Sequence, residues 1–85
     1  MARVEIRFRE PLLLGAFAQV ALEDYARELT RSERSEALVA PGEGGRLLGL
    51  ALDEPRTAPQ GSVLEDIEAF ARELQERAGD GLGWS

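Results

Sequence analysis

The chain has 85 residues, 44% of them hydrophobic and 31% charged, with a net charge of −6, and it contains no histidine, cysteine, lysine or asparagine. Length and composition suit one small folded domain, too apolar for a disordered chain, and the missing side chains remove imidazole proton shuttles, thiolate nucleophiles, Schiff-base amines, disulfides and His/Cys metal sites. A negative field built from Arg against Asp and Glu disfavours nucleic acid and anionic lipid, and no apolar run approaches the roughly 20 residues of a membrane span, so neither partner is expected and a cytoplasmic protein is.

In the first segment Val4, Ile6 and Phe8 alternate with Arg3, Glu5, Arg7 and Arg9. This period of two is that of a strand with one buried and one wet face. Pro11 ends that strand, and its fixed φ suits the first position of a helix.

From Pro11 to about Arg31 a helix is expected, with Leu14, Ala18, Ala21, Leu22, Tyr25 and Leu29 along one stripe. Between Leu12 and Leu22 only Gly15 and Gln19 are not apolar. That half is greasy all round and asks for a second apolar partner. The alternative has Leu12 to Leu14 extended, Gly15 as a break and the helix starting near Ala16.

Thr30 to Glu36 reads as a frayed helix end or connector. Ala37 to Ala40 and Arg46 to Asp53 read as two strands joined by a turn at Pro41-Gly42-Glu43-Gly44-Gly45. In the second of them Leu48, Leu50 and Leu52 point one way, and Leu47, Gly49 and Ala51 the other. Both sides are apolar, so this strand is expected in the centre of the sheet.

Glu54 to Gly61 is a loop. The last helix opens with Ser62 and Glu65 in capping-box spacing. Val63, Ile67, Phe70, Ala71, Leu74 and Ala78 form its buried stripe, and Glu68 with Arg72 and Glu73 with Arg77 form exposed pairs. Gly79 is placed just past its end, leaving residues 80–85 as a glycine-rich tail that carries Trp84.

The resulting fold class is α+β: a two-layer β-α-β-β-α domain over residues 1–79, its three-stranded antiparallel sheet in the order 2-3-1 covered by two helices. The order resembles a ferredoxin-like arrangement lacking its last strand, a likeness of topology alone.

Candidate chemistry is sparse. The glycine-rich turn lacks the spacing of a phosphate loop and sits between strands. Acidic residues such as Asp24 with Glu28, or Glu65, Asp66 and Glu68, gather too few converging oxygens for a hard cation. Ser32, Ser35 and Ser62 lack a general base, and Tyr25 lies on a core stripe. Arg3, Arg7 and Arg9 share one strand face without aromatics to stack bases, so cross-strand pairing with acidic neighbours or with a second subunit explains them better.

No catalytic, cofactor or metal site is therefore expected. The chain reads as a non-enzymatic interaction module that self-associates, as a homodimer, through Leu12, Leu13, Phe17 and Val20, with Trp84 docked on its own domain or a neighbour. A second reading makes it an inhibitor, antitoxin or immunity-type binder of a basic protein through Glu65, Asp66, Glu68, Glu73 and Glu76. A third, a small ligand-binding or catalytic subunit, would need a carboxylate buried beside a pocket.

Overall fold

In the computed structural model the backbone is described for residues 2–42 and 45–84, and side chains for 2–42 and 45–77. The elements are β1 (Arg3–Leu12), α1 (Ala16–Thr30), β2 (Arg34–Val39), β3 (Leu47–Asp53) and α2 (Ser62–Trp84). The strands form an antiparallel sheet in the order β1-β3-β2. Both helices lie on one face, because a single core joins Ile6, Leu50 and Leu52 of the sheet to Leu22 and Ala26 of α1 and to Ile67 and Ala71 of α2. The two-layer α+β arrangement expected from the sequence is the observed one.

β1 runs in register with β3 from Arg3 opposite Asp53 to Arg7 opposite Gly49, and resumes only at Leu12 opposite Leu47. Residues Phe8 to Pro11 therefore swell out against Leu48 alone. Pro11 sits inside this bulge rather than at a helix start, as its missing N–H permits on an edge strand. β2 also shifts register here, between Leu38 and Val39. The irregularity changes the phase of β3, so Leu47 is fully buried with Leu50 and Leu52 in the core, while Leu48, expected there, is only partly buried.

Past the bulge Leu12 and Leu14 are buried and Leu13 is half exposed, a strand-like alternation continued beyond Pro11. Gly15 is extended at φ −70°, ψ 171°, and its carbonyl accepts the first helical hydrogen bond from Gln19 N–H at 3.0 Å. Of the two sequence readings of this segment, the later helix start is the correct one. α1 ends at Arg31 in the left-handed region, φ 55°.

Thr30 ties that end down. Its hydroxyl donates to the Ala26 carbonyl at 2.7 Å, and its own carbonyl accepts N–H bonds from Arg56 and Thr57, both at 2.9 Å. Arg34 to Glu36, expected in a connector, form the first half of β2. On the edge of the sheet Arg34 and Glu36 stay in solvent, while Ser35 turns toward α1.

α2 buries Ile67 and Ala71, with Val63, Phe70 and Leu74 packed beside them, as its stripe predicts. The Tyr25 and Phe70 rings meet at 4.4 Å between centroids and join the helices. The capping box does not form: Gly61, at φ 59°, precedes the helix, and its carbonyl accepts the Glu65 N–H at 3.0 Å. The helix does not stop at Gly79 but continues to Trp84. Ala78 and Trp84 lie outside the described side chains.

Candidate functional site

Two surface features have the form of a binding site. The first is an apolar patch on the outside of α1. Phe17 is 94% exposed, with Val20 on the same helix at 54% and Leu13, before the helix, at 50%. Phe17 and Val20 are three residues apart and share one helix face.

Val39, at the end of β2, is a further exposed apolar side chain. The Ser35 hydroxyl donates to the Glu23 carbonyl at 2.7 Å, and the Ala37 N–H donates to the Glu23 carboxylate at 3.0 Å, so α1 runs antiparallel along β2. Three of the four sequence-predicted contact residues of this region, Leu13, Phe17 and Val20, thus lie at the surface. Leu12 does not. It is 6% exposed, because the bulge carries it inward against Leu47. Trp84 lies outside the described side chains, so its docking has no structural description.

The second feature is a cleft of about 340 Å³ between the bulge of β1 and α2. The strand contributes Phe8 and Leu12 as apolar wall, with Arg9 and Glu10 at the rim. The helix contributes Glu68, Arg72, Gln75 and Glu76. Side chains of α2 hold the bulge in place: Gln75 Oε1 accepts the Leu13 N–H at 2.7 Å and Glu68 Oε2 accepts the Arg9 N–H at 3.4 Å.

Glu68 is the residue that sequence reasoning misplaced. It was expected on an exposed acidic face, paired with Arg72. It is instead 9% exposed and makes no ion pair among the described residues. One turn after the half-buried Leu64 and beside Ile67, its position inclines toward the core, and the helical pattern alone could have flagged this. Glu65, Asp66, Glu73 and Glu76 are exposed as expected, and Glu73 pairs with Arg77.

The basic residues of β1 are divided by the bulge. Arg3 lies within 4 Å of Glu5, Glu36 and Asp53, and Arg7 reaches Glu5 at 3.8 Å, forming a charge lattice on the face without helices. Arg9 leaves that lattice and lines the cleft. The cross-strand pairing expected is present for Arg3, whereas Arg7 pairs within its own strand, all at solvent-screened contacts worth little each.

At the far end of the sheet Glu54 adopts φ 48°. Its carboxyl pKa is raised above the usual range by the charge of Glu33, by a hydrogen bond to Glu33, by burial and by the charge of Asp53. No cluster of three or more potential metal-ligating side chains occurs among the described residues. Nor is any helix among them long and apolar enough to cross a membrane. No known family model, curated protein or solved structure matches the chain.

Proposed function

We propose that this chain is a non-enzymatic protein interaction module that self-associates through the outer face of the first turns of α1. The observation that carries the reading is the exposure of Phe17, with Val20 on the same helix face and Leu13 and Val39 also exposed, on a surface otherwise rich in charge. Burying a Phe side chain yields about 2 to 3 kcal/mol, which a domain this small has little core to supply otherwise. A two-fold axis near Phe17 lays the same patch of two copies face to face, giving a closed homodimer. The cytoplasmic location expected from the sequence belongs to this proposal.

The test is the solution mass of the intact chain by light scattering over a range of concentrations, for the wild type and Phe17→Asp. Because Phe17 touches little of its own domain, the variant keeps its fold while its dimer weakens by about 3 kcal/mol, more than a hundredfold. A wild-type chain that stays monomeric at high concentration, or a variant that associates unchanged, defeats the proposal.

A second reading, capture of a basic protein, rests on the exposed Glu65, Asp66 and Glu76 of α2. Binding of that kind weakens steeply with salt, whereas an apolar dimer persists.

A further inference from the structure

We propose that the cleft between the β1 bulge and α2 binds an alkylammonium or alkylguanidinium group, with the Glu68 carboxylate as its anchor. A carboxylate offers about four acceptor positions. Glu68 is 91% removed from solvent and uses one of its oxygens on a single long bond, from Arg9 N–H at 3.4 Å. Glu68 lines the cleft and its second oxygen is not fully enclosed, so a cation in the cleft can reach it.

The domain's own cations do not fill the role. Arg9 and Arg72 line the same cleft, yet neither guanidinium lies within 4 Å of Glu68. Among the described residues every fully enclosed side-chain oxygen or nitrogen has a partner, so the free capacity of Glu68 opens into the cleft rather than into the core.

Shape and polarity select the rest of the ligand. A cavity of about 340 Å³ is at the small end of ligand sites, room for an aliphatic chain of a few carbons with a charged head. Phe8 and Leu12 supply an apolar wall for the stem, and Glu10 and Glu76 offset Arg9 and Arg72 around it, leaving the charge of Glu68 in excess. The bond from Leu13 N–H to Gln75 keeps the strand wall fixed, so little order has to be created on binding. Such a cation is presented either by a free aliphatic amine or by a Lys or Arg side chain of another protein. Phe17 and Val20 do not line the cleft, so the Phe17→Asp variant can be used to examine it apart from self-association.

The experiment is an amide NMR titration of the full chain at constant ionic strength and pH 7. The probes are n-butylammonium, n-butylguanidinium, sodium butyrate, neutral n-butanol and a blocked peptide bearing one lysine. Saturable shifts are expected at Arg9, Glu10, Leu13 and Glu68 to Glu76 with the two cations, half-complete in the millimolar range, and none with butyrate. Glu68→Gln weakens them at least tenfold, while Glu65→Gln leaves them unchanged.

Tighter binding of the lysine peptide than of n-butylammonium assigns the site to a protein side chain; equal or weaker binding assigns it to a free amine. Shifts that never saturate, that persist in Glu68→Gln, or that butyrate reproduces overturn the proposal. If Glu68→Gln does not fold, the wild-type contrast between n-butylammonium and n-butanol decides, and equal binding of the two overturns it.

Discussion

A Cβ placed on Gly49 would lie 1.9 Å from the Ile6 carbonyl oxygen and 3.0 Å from the Arg7 Cα, both backbone atoms that cannot turn away. Gly49→Ala is therefore expected to cost at least about 3 kcal/mol, lowering Tm by at least about 12 °C in thermal unfolding. Arg31 and Glu54 show the opposite situation, since each holds a left-handed backbone that glycine adopts more cheaply. Arg31→Gly is expected to stabilise the end of α1 by about 0.5 to 1 kcal/mol in denaturant unfolding.

Glu54 adds a pH dependence. Its pKa is higher folded than unfolded, chiefly through Glu33, so the folded state holds its proton more firmly. Stability from this group is present at low pH and is lost as pH rises through the raised pKa. Glu54→Gln is therefore expected to raise Tm at pH 7 and to change it little at a pH where Glu54 is already protonated. An equal gain at both pH values would refute the electrostatic cause. The patterning showed none of these three sites, because a backbone angle or an approach between strands distant in sequence leaves no mark in hydropathy.

Legibility rises at the scale of whole elements. The 3.6-residue stripe of α2 and the alternation of Val4, Ile6 and Phe8 each needed only local periodicity, and both elements begin where those patterns put them, though each runs on past its expected end. Pro11 and the polar first half of β2 misled the reading for one reason: both occupy sheet edges, where a missing N–H or a polar side chain is tolerated.

Those edges are guarded by helix side chains, Glu23 on Ala37 N–H, and Glu68 and Gln75 on the bulge of β1. Glu23→Ala removes one guard and is expected to destabilise the fold by about 1 to 2 kcal/mol in denaturant unfolding. It also leaves an unpaired strand edge, so faster aggregation on shaking should accompany the loss. Unchanged stability would mean that water replaces the carboxylate without penalty.

At the scale of the whole molecule, two helices on one side of three strands leave a sheet face that carries charged side chains, among them Arg3, Glu5 and Glu36, beside the half-buried Leu38. Ala51, in the middle of that face, is nonetheless 2% exposed. Its pairing with Glu5 on one side and Glu36 on the other lets long side chains roof it. The apolar surface left over is on α1 instead. Light scattering in about 1 M NaCl should therefore find the same association as at low salt, since an interface of Leu, Val and Phe has little Coulomb energy to screen. Dissociation by salt would shift the contact to the acidic surface of α2.

Composition and periodicity by themselves determined the fold class, the central place of β3, the core stripe of α2 and an unpartnered apolar surplus at the start of α1. These follow from short-range patterns, because burial of one face imposes a period on the sequence. Tertiary structure alone decided which part of that surplus stays outside: Leu12 and Leu14 turned in, Leu13 and Phe17 turned out. It also decided that Glu68 faces a cleft. Both outcomes depend on the bulge between Arg7 and Leu12, which arises where β1 meets Gly49 of a strand some forty residues away, a contact no local pattern encodes.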